Sequence, residues 1–262
     1  MTKMARVSIA FLLVLVLALL NACENQPPVQ PAAVGNVQSN VDSLSNRDLL
    51  QRKGPWPAIP DSKESLASDL LAKNYYIVQD GSGSMGEVEC SGNESKSVVS
   101  KKALAEFAKS VPAEANLGLL AFDSRGVTER LPLGKNNRTQ FINAVNAVKA
   151  DSGTPLDEAI MGGLRALEKQ AQKQLGYGEY HLVIITDGYA NWGHDPTKEV
   201  EWIVNNTSIV IHTIGFCVDK KHSLNMPGKT FYVTAQNPKE LFSGLKAVLA
   251  ESEKFDITTF QK

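Results

Sequence analysis

The sequence predicts an α/β domain built around a mostly parallel β-sheet. From Asn74 onward, short apolar segments typical of strands alternate with longer segments in which apolar residues recur at helical spacing. Two of the strand segments, LVIIT at 182–186 and IVIHTIG at 209–215, are dominated by large aliphatic residues without a regular polar alternation. Such strands are typical of a sheet that helices cover on both faces, and the alternation of strand and helix favours βαβ units.

The individual elements follow from these patterns in chain order. Strands are predicted at 75–79, 117–122, 127–133, 181–186, 208–216 and 230–234, and helices at 96–110, 138–149, 155–175, 197–206 and 238–255. Only residues 123–126 separate the second strand from the third. Because so short a link favours a hairpin, we expect one of these two strands to run antiparallel to the rest of the sheet.

Residues 1–22 have the pattern of an export signal. Lys3 and Arg6 lead into the apolar segment 7–20, which is shorter than the roughly 20 residues that span a bilayer as a helix. The sequence LNAC, which ends at Cys23, resembles the lipobox of bacterial lipoproteins, in which the cysteine becomes the lipidated first residue. The alternative is an ordinary signal peptide that is cut just before an unmodified Cys23.

This signal predicts a lipid-anchored protein of the bacterial cell envelope. The outer membrane is preferred, because Glu24 rather than an aspartate follows the lipidated position. The formal net charge is -1, and removal of the signal takes away two basic residues and no acidic one. The protein therefore lacks the basic surplus that nucleic-acid binding requires.

The composition divides the rest of the chain into segments. Residues 23–60 are rich in Gln, Asn, Pro and Ser, which is typical of a flexible tether that cannot bury enough apolar surface to fold alone. Residues 61–73 are predicted to form a short lead-in helix. The folded domain is expected over residues 74–256, with a tail at 257–262.

Two cysteines remain beyond Cys23, namely Cys90 and Cys217. An even pair in an oxidising compartment predicts a disulfide bond between them. The alternative is a pair of buried free thiols.

Short side chains that carry oxygen follow the predicted strands. The first strand is followed directly by Asp80, Ser82 and Ser84. The strand predicted at 181–186 is followed by Asp187, and the long helix is preceded by Thr154. Since ligands of such sheets bind beyond the carboxyl ends of the strands, we expect these side chains to lie close together. Two carboxylates and three hydroxyls form a ligand set that suits Mg²⁺, Mn²⁺ or Ca²⁺ rather than zinc or copper.

This pattern resembles the von Willebrand factor type A domain. The sequence D-x-S-x-S at 80–84, Thr154 within GTPL and Asp187 within TDG match the family's metal-ion-dependent adhesion site. The resemblance covers about residues 74–256. It implies a Rossmann-like three-layer fold, with a six-stranded sheet of order 3-2-1-4-5-6 that has one antiparallel edge strand and helices on both faces.

The resemblance also implies roles for the site residues. Ser82 and Ser84 would ligate the metal directly, and Asp80, Thr154 and Asp187 directly or through water. In the family's strand order, the strands that precede Cys90 and Cys217 are two spacings apart, a gap that residues 85–90 are long enough to close. A disulfide there would brace the metal-binding loop against the sheet.

The function implied is a divalent-cation-dependent protein-binding module, either adhesive or scaffolding. Its metal, expected to be Mg²⁺, would coordinate an Asp or Glu carboxylate of a protein or peptide partner. Trp192 and His194 lie in the loop after Asp187 and are candidates for contacting that partner. The alternatives are that Trp192 packs on the domain and that His194 belongs to a solvated loop. His212, inside a strand, is expected to be a hydrogen-bonded core residue.

Two other functions compete with binding. A metal-dependent hydrolase such as a phosphatase would use an Asp at a strand end, but the second Asp of the haloacid dehalogenase type is replaced by Ser82 and no P-loop lysine follows the glycines. His194 is its only candidate general base. The third function is a structural subunit of an envelope complex. We therefore expect no enzymatic activity.

Overall fold

The computed structural model describes residues 44–59 and 65–253. The export signal, Cys23, the first part of the predicted tether and the predicted tail lie outside the described residues, and so do residues 60–64 and 254–256.

Six α-helices, two short 3-10 helices (Gly83–Gly86 and Glu89–Ser91) and six strands are described, and the α-helices and strands follow the predicted alternation. The helices are α1 (Asn46–Gln51), α2 (Lys96–Ser110), α3 (Arg138–Asn146), α4 (Leu156–Lys173), α5 (Thr197–Asn206) and α6 (Pro238–Glu253). The strands are β1 (Lys73–Asp80), β2 (Asn116–Asp123), β3 (Gly126–Gly134), β4 (Glu179–Thr186), β5 (Ile209–Phe216) and β6 (Phe231–Ala235). Within these ranges, no helix is both long and apolar enough to cross a membrane.

The strands form one sheet in the order β3-β2-β1-β4-β5-β6. All neighbouring pairs are parallel except β2 and β3, which form the expected antiparallel hairpin, with Phe122 opposite Val127. The predicted fold and strand order are therefore confirmed. Because β1 lies between β2 and β4, the loops that leave β1 and β4 emerge side by side at one edge of the sheet.

Helices cover both faces of this sheet, as the continuous apolar strands predict. Successive residues of β1 point to opposite faces, so Tyr76 and Val78 pack in the cluster that includes α4 and α5. Tyr75 and Ile77 pack in the other cluster, with α2, α3 and α6.

The predicted lead-in helix at 61–73 is wrong in the part that the structure describes. Residues 65–72 contain turns but no helix, and Lys73 already belongs to β1. Backbone groups of this segment bond to Lys173 and Gln174 at the end of α4. Gln174 donates its side-chain Nε2 to the carbonyl of Ala72 at 2.9 Å, and the Ala67 amide donates to the Lys173 carbonyl at 2.8 Å.

The predicted tether is also wrong for residues 44–59, which fold onto the domain. Ser45 caps α1, and Leu49 of this helix is completely buried. Arg52 forms an ion pair with the buried carboxylate of Glu168, and Trp56 packs edge-on against Tyr180, with the ring centroids 5.0 Å apart. This segment folds onto the domain with few apolar residues, because α4 supplies a buried carboxylate for Arg52 and the core supplies Tyr180 for Trp56.

Candidate metal-binding site

The site begins at Asp80, the last residue of β1, whose carboxylate is buried and fully bonded. The Ser82 amide donates to Asp80 Oδ1 at 2.7 Å, and the Thr186 hydroxyl donates to Asp80 Oδ2 at 2.6 Å. Thr186 is the last residue of β4, so this bond joins the ends of the two central strands. Sequence reasoning missed Thr186, although its place directly before Asp187 was a usable signal.

The loop after β1 is pressed against the segment that precedes α4. The Gly81 carbonyl accepts hydrogen bonds from the amides of Asp151 and Ser152, at 3.0 and 3.2 Å, and the Gly83 amide donates to the Ser152 carbonyl at 2.8 Å. These bonds place Thr154 at the same edge of the sheet as Asp80.

The two serine hydroxyls connect this loop to Asp187, which directly follows β4. Ser84 donates to Asp187 Oδ1 at 2.9 Å, and Ser82 lies 3.4 Å from the same oxygen. The two hydroxyl oxygens are 3.0 Å apart. The side chains predicted from three separate segments therefore converge.

Gly188 keeps the space beside these hydroxyls open. A Cβ atom at this position would lie 3.8 Å from Ser84 Oγ and 3.9 Å from Thr154 Oγ1. Thr154 is itself buried, so its hydroxyl is held at the edge of the site rather than in solvent. The structure thus brings together all five predicted ligands, Asp80, Ser82, Ser84, Thr154 and Asp187.

The charge of Asp187 disfavours ionisation of the Asp80 carboxyl. Burial, and then the charge of Asp187, raise the pKa of Asp80 to about 6, against the opposing hydrogen bonds from Ser82 and Thr186. The raised pKa means that burial and the neighbouring carboxylate disfavour the ionised form of Asp80 more than its hydrogen bonds favour it. The buried carboxylates of Asp80 and Asp187 would therefore favour the binding of a cation beside them.

The donor chemistry fits a hard divalent ion. All five side chains offer oxygen, and carboxylate and hydroxyl oxygens are the ligands that Mg²⁺ and Ca²⁺ prefer. Residues 44–59 and 65–253 contain no group of three or more His, Cys, Asp or Glu side chains placed to hold a metal, and the candidate set itself has two carboxylates and three hydroxyls.

Cys90 and Cys217 are joined by a disulfide bond, as predicted, with their Cα atoms 5.7 Å apart. Cys90 lies in the segment that follows the site loop, and Cys217 directly follows β5. The alternative of two free thiols is wrong, and the bond ties the segment after Ser84 to the sheet.

The loop after Asp187 carries an unpacked aromatic side chain. Trp192 is 100% exposed, so the alternative that it packs on the domain is wrong. His194 is partly buried, and its Nδ1 lies 2.7 Å from Asp157 Oδ1 on α4. The Thr197 amide at the start of α5 donates to Asp195 Oδ1 at 3.1 Å.

The remaining histidines have structural contacts. His212 is buried, and its Nε2 lies 3.1 Å from Nδ1 of His181, which confirms it as a hydrogen-bonded core residue. His222, for which the sequence offers no partner, contacts the Gly188 carbonyl through Nε2 at 2.7 Å. It therefore supports the loop that carries the site.

A doubly wound α/β domain with an acidic, hydroxyl-rich cluster at the carboxyl edge of its sheet defines a recognisable class of protein. The model of the von Willebrand factor type A domain family matches residues 74–244, which is more than half of the chain. The protein belongs to this family.

Relatives share the fold at modest identity. YwmD of Bacillus subtilis, described as an uncharacterized protein, is 28% identical over 186 residues, which are 64% of this chain and 80% of that protein. A von Willebrand factor type A protein from Catenulispora acidiphila superimposes with a TM-score of 0.57 at 17% identity, over 70% of this chain and 43% of that chain.

A pilus adhesin, SpaC from Lactobacillus rhamnosus GG, superimposes with a TM-score of 0.55 at 16% identity, over 72% of this chain and 31% of that chain. At identities this low, the superpositions show a shared fold alone. The chain spans less than half the length of either structure.

Proposed function

We propose that this protein is a divalent-cation-dependent protein-binding module. The observation that carries the proposal is the convergence of five oxygen-bearing side chains at the carboxyl edge of the sheet. Asp80, Ser82, Ser84, Thr154 and Asp187 would hold the ion, and Mg²⁺ is the expected one. When bound, the ion would supply a Lewis-acidic position for an Asp or Glu carboxylate of a partner.

The chain's own residues have distinct roles in this proposal. Asp80 and Asp187 neutralise the ion, and Thr186 and the loop amides hold Asp80 in place. The serine hydroxyls are weak neutral ligands, which leave the ion attractive to an outside carboxylate. Trp192, fully exposed in the loop after Asp187, would give the partner an apolar contact beside the charged one.

We further propose that the domain is displayed on the bacterial envelope through a lipid at Cys23. The export pattern supports this location, and so does the disulfide bond, because such bonds persist in oxidising compartments. The likeness to a pilus adhesin is in keeping with an envelope role. Substitution Cys23→Ser should release the protein from the membrane fraction; retention there would contradict the lipid anchor.

The binding function is tested by a pull-down from envelope extract with the tagged full-length protein, in Mg²⁺ and in EDTA. A partner should be captured in Mg²⁺ and lost both in EDTA and with Asp187→Ala. Asp195→Ala, which removes a neighbouring exposed carboxylate, is the matched control and should retain the partner. Capture that survives EDTA and Asp187→Ala would instead favour a structural subunit that binds through another surface.

One observation favours a metal-dependent hydrolase as a second candidate. The 2.7 Å contact between His194 Nδ1 and Asp157 Oδ1 is the arrangement of a histidine base oriented by a carboxylate. A screen of generic phosphoesters with Mn²⁺ tests it. Turnover that is lost in His194→Ala would support hydrolysis, and no turnover would leave the binding function.

A further inference from the structure

A lysine lies buried beside the candidate metal site. Lys96, the first residue of α2, is only 1% exposed. Its Nζ atom lies 2.7 Å from Asp187 Oδ2, 3.0 Å from Glu89 Oε2 and 3.8 Å from Glu87 Oε2. Lysine is almost never fully buried unless it is paired, so these acidic groups account for its position.

The helix itself does not favour a cation here. The first turn of a helix carries the positive end of its dipole, which attracts acidic rather than basic side chains. Lys96 also gives up its solvent shell on burial. The Lys96 ammonium group is therefore stabilised by the carboxylates around it and not by the dipole of α2.

The three acidic partners differ in strength. The Asp187 side chain is fully buried, whereas those of Glu87 and Glu89 are 60% and 53% exposed. Water and salt screen the exposed pairs far more than the buried one. The two carboxylate oxygens of Asp187 therefore have different partners. Oδ1 faces the serine hydroxyls, and Oδ2 faces the ammonium group of Lys96.

We propose that Lys96 is a tethered counter-ion that limits the affinity of this site for divalent cations. The proposal rests on the metal site described under the proposed function. Asp80 and Asp187 supply two negative charges, and the ammonium group offsets one of them while repelling an incoming cation. The carboxylate pair without Lys96 would bind a divalent ion more tightly.

The same charge stabilises the protein when no metal is bound. Removing Lys96 leaves two buried carboxylates without a positive neighbour, so the metal-free protein should lose stability. The metal-bound protein should instead be freed of the repulsion between the ammonium group and the cation. A lysine that only positioned Asp187 would have the opposite signature. Its loss would displace a ligand and weaken metal binding.

The test compares full-length wild-type protein with Lys96→Met, which keeps an apolar stem in the buried position. Lys102→Met is the matched control, since Lys102 lies on the same helix but is exposed and pairs with Glu94. Mg²⁺ affinity is measured by isothermal titration calorimetry, and melting temperature in EDTA and in Mg²⁺. Lys96→Met should melt lower in EDTA, bind Mg²⁺ at least about tenfold more tightly and gain more from Mg²⁺.

Equal or weaker Mg²⁺ binding by Lys96→Met overturns the proposal, provided that wild-type binding is lost in Asp187→Ala. If neither wild type nor Lys96→Met binds Mg²⁺, the metal site itself fails and this inference fails with it. Should Lys96→Met be unfolded in EDTA, recovery of the native circular dichroism in Mg²⁺ supports the proposal. Failure to refold in Mg²⁺ overturns it.

Discussion

At Gly81 the backbone passes so close to its neighbours that a side chain has no room. A Cβ atom there would lie 2.4 Å from the Phe122 carbonyl oxygen and 2.5 Å from that of Lys149. Both obstacles are backbone atoms, which cannot rotate away as a side chain would. The glycine is therefore what allows Ser82 and Ser84 to approach Asp187.

Gly81→Ala should accordingly displace the loop, at a cost of about 1–3 kcal/mol in the free energy of unfolding. Urea denaturation measures the stability, and calorimetric titration with Mg²⁺ measures the site, whose binding should be lost. Gly83→Ala is the matched control in the same loop, because the nearest atom to a Cβ there is 3.9 Å away. Equal stability of the two variants would contradict the steric argument.

Trp192 is the residue whose role in partner binding is most easily isolated, because nothing in the domain depends on its ring. Trp192→Ala should weaken binding of the partner captured in Mg²⁺ at least about tenfold, as expected for an aromatic anchor. Melting temperature and Mg²⁺ affinity should not change. Tyr177→Ala removes an exposed aromatic ring from the loop before β4 and should have no effect; equal losses in both variants would assign Trp192 no special role.

A hydrogen bond joins two buried histidines, His181 on β4 and His212 on β5. Because of this pair, we expect the stability of the protein to depend on pH. Burial, and then the charge of His181, lower the pKa of His212 to about 3. The folded state therefore holds His212 neutral, whereas the unfolded chain takes up a proton near pH 6.5. Since the unfolded state binds more protons below that pH, His212 lowers stability progressively as the pH falls from about 6.5 towards 3.

In His212→Gln this contribution should disappear. The variant should be less stable than wild type at pH 7.5, because His181 Nδ1 loses its partner, but its stability should fall less steeply between pH 6.5 and 4. Urea denaturation at several pH values measures both slopes. Parallel slopes for the two proteins would show that His212 is not the group that titrates.

The segment from residue 44 to residue 59 is an element of the domain, held largely by one buried ion pair. Glu168 has a fully buried side chain that receives Arg52 and, at 2.9 Å, the Ala58 amide. Arg52→Ala leaves that carboxylate without its charge partner and should cost about 3–5 kcal/mol. Thermal melting measures the loss; Arg47→Ala, exposed on α1, should be near neutral, and a similar change in both would contradict the pairing argument.

The same segment shows which elements the sequence could not predict. The helix predicted at 61–73 has helical spacing of its apolar residues, but the carbonyls of Asp69, Leu70 and Ala72 accept hydrogen bonds from Gln174, far away in the sequence. The helix α1 buries Leu49 against α4 although its surroundings have the composition of a tether. In both cases a tertiary contact overrode a local pattern.

For the molecule as a whole, the sheet and its site were largely predictable. Strands buried on both faces leave continuous apolar runs, and the short link at 123–126 revealed the hairpin. The candidate ligand residues were predictable because each directly follows or precedes such an element. Lys96 was not, because its pairing with Asp187 joins two segments that only the folded sheet brings together.

In the proposed function, this edge of the sheet binds a divalent cation. Calorimetric titration of the full-length protein with Mg²⁺, in wild type and in Asp187→Ala, tests it most directly. We expect wild type to bind one ion and Asp187→Ala to bind none, with unchanged circular dichroism. No binding by wild type, or equal binding by both proteins, would contradict it.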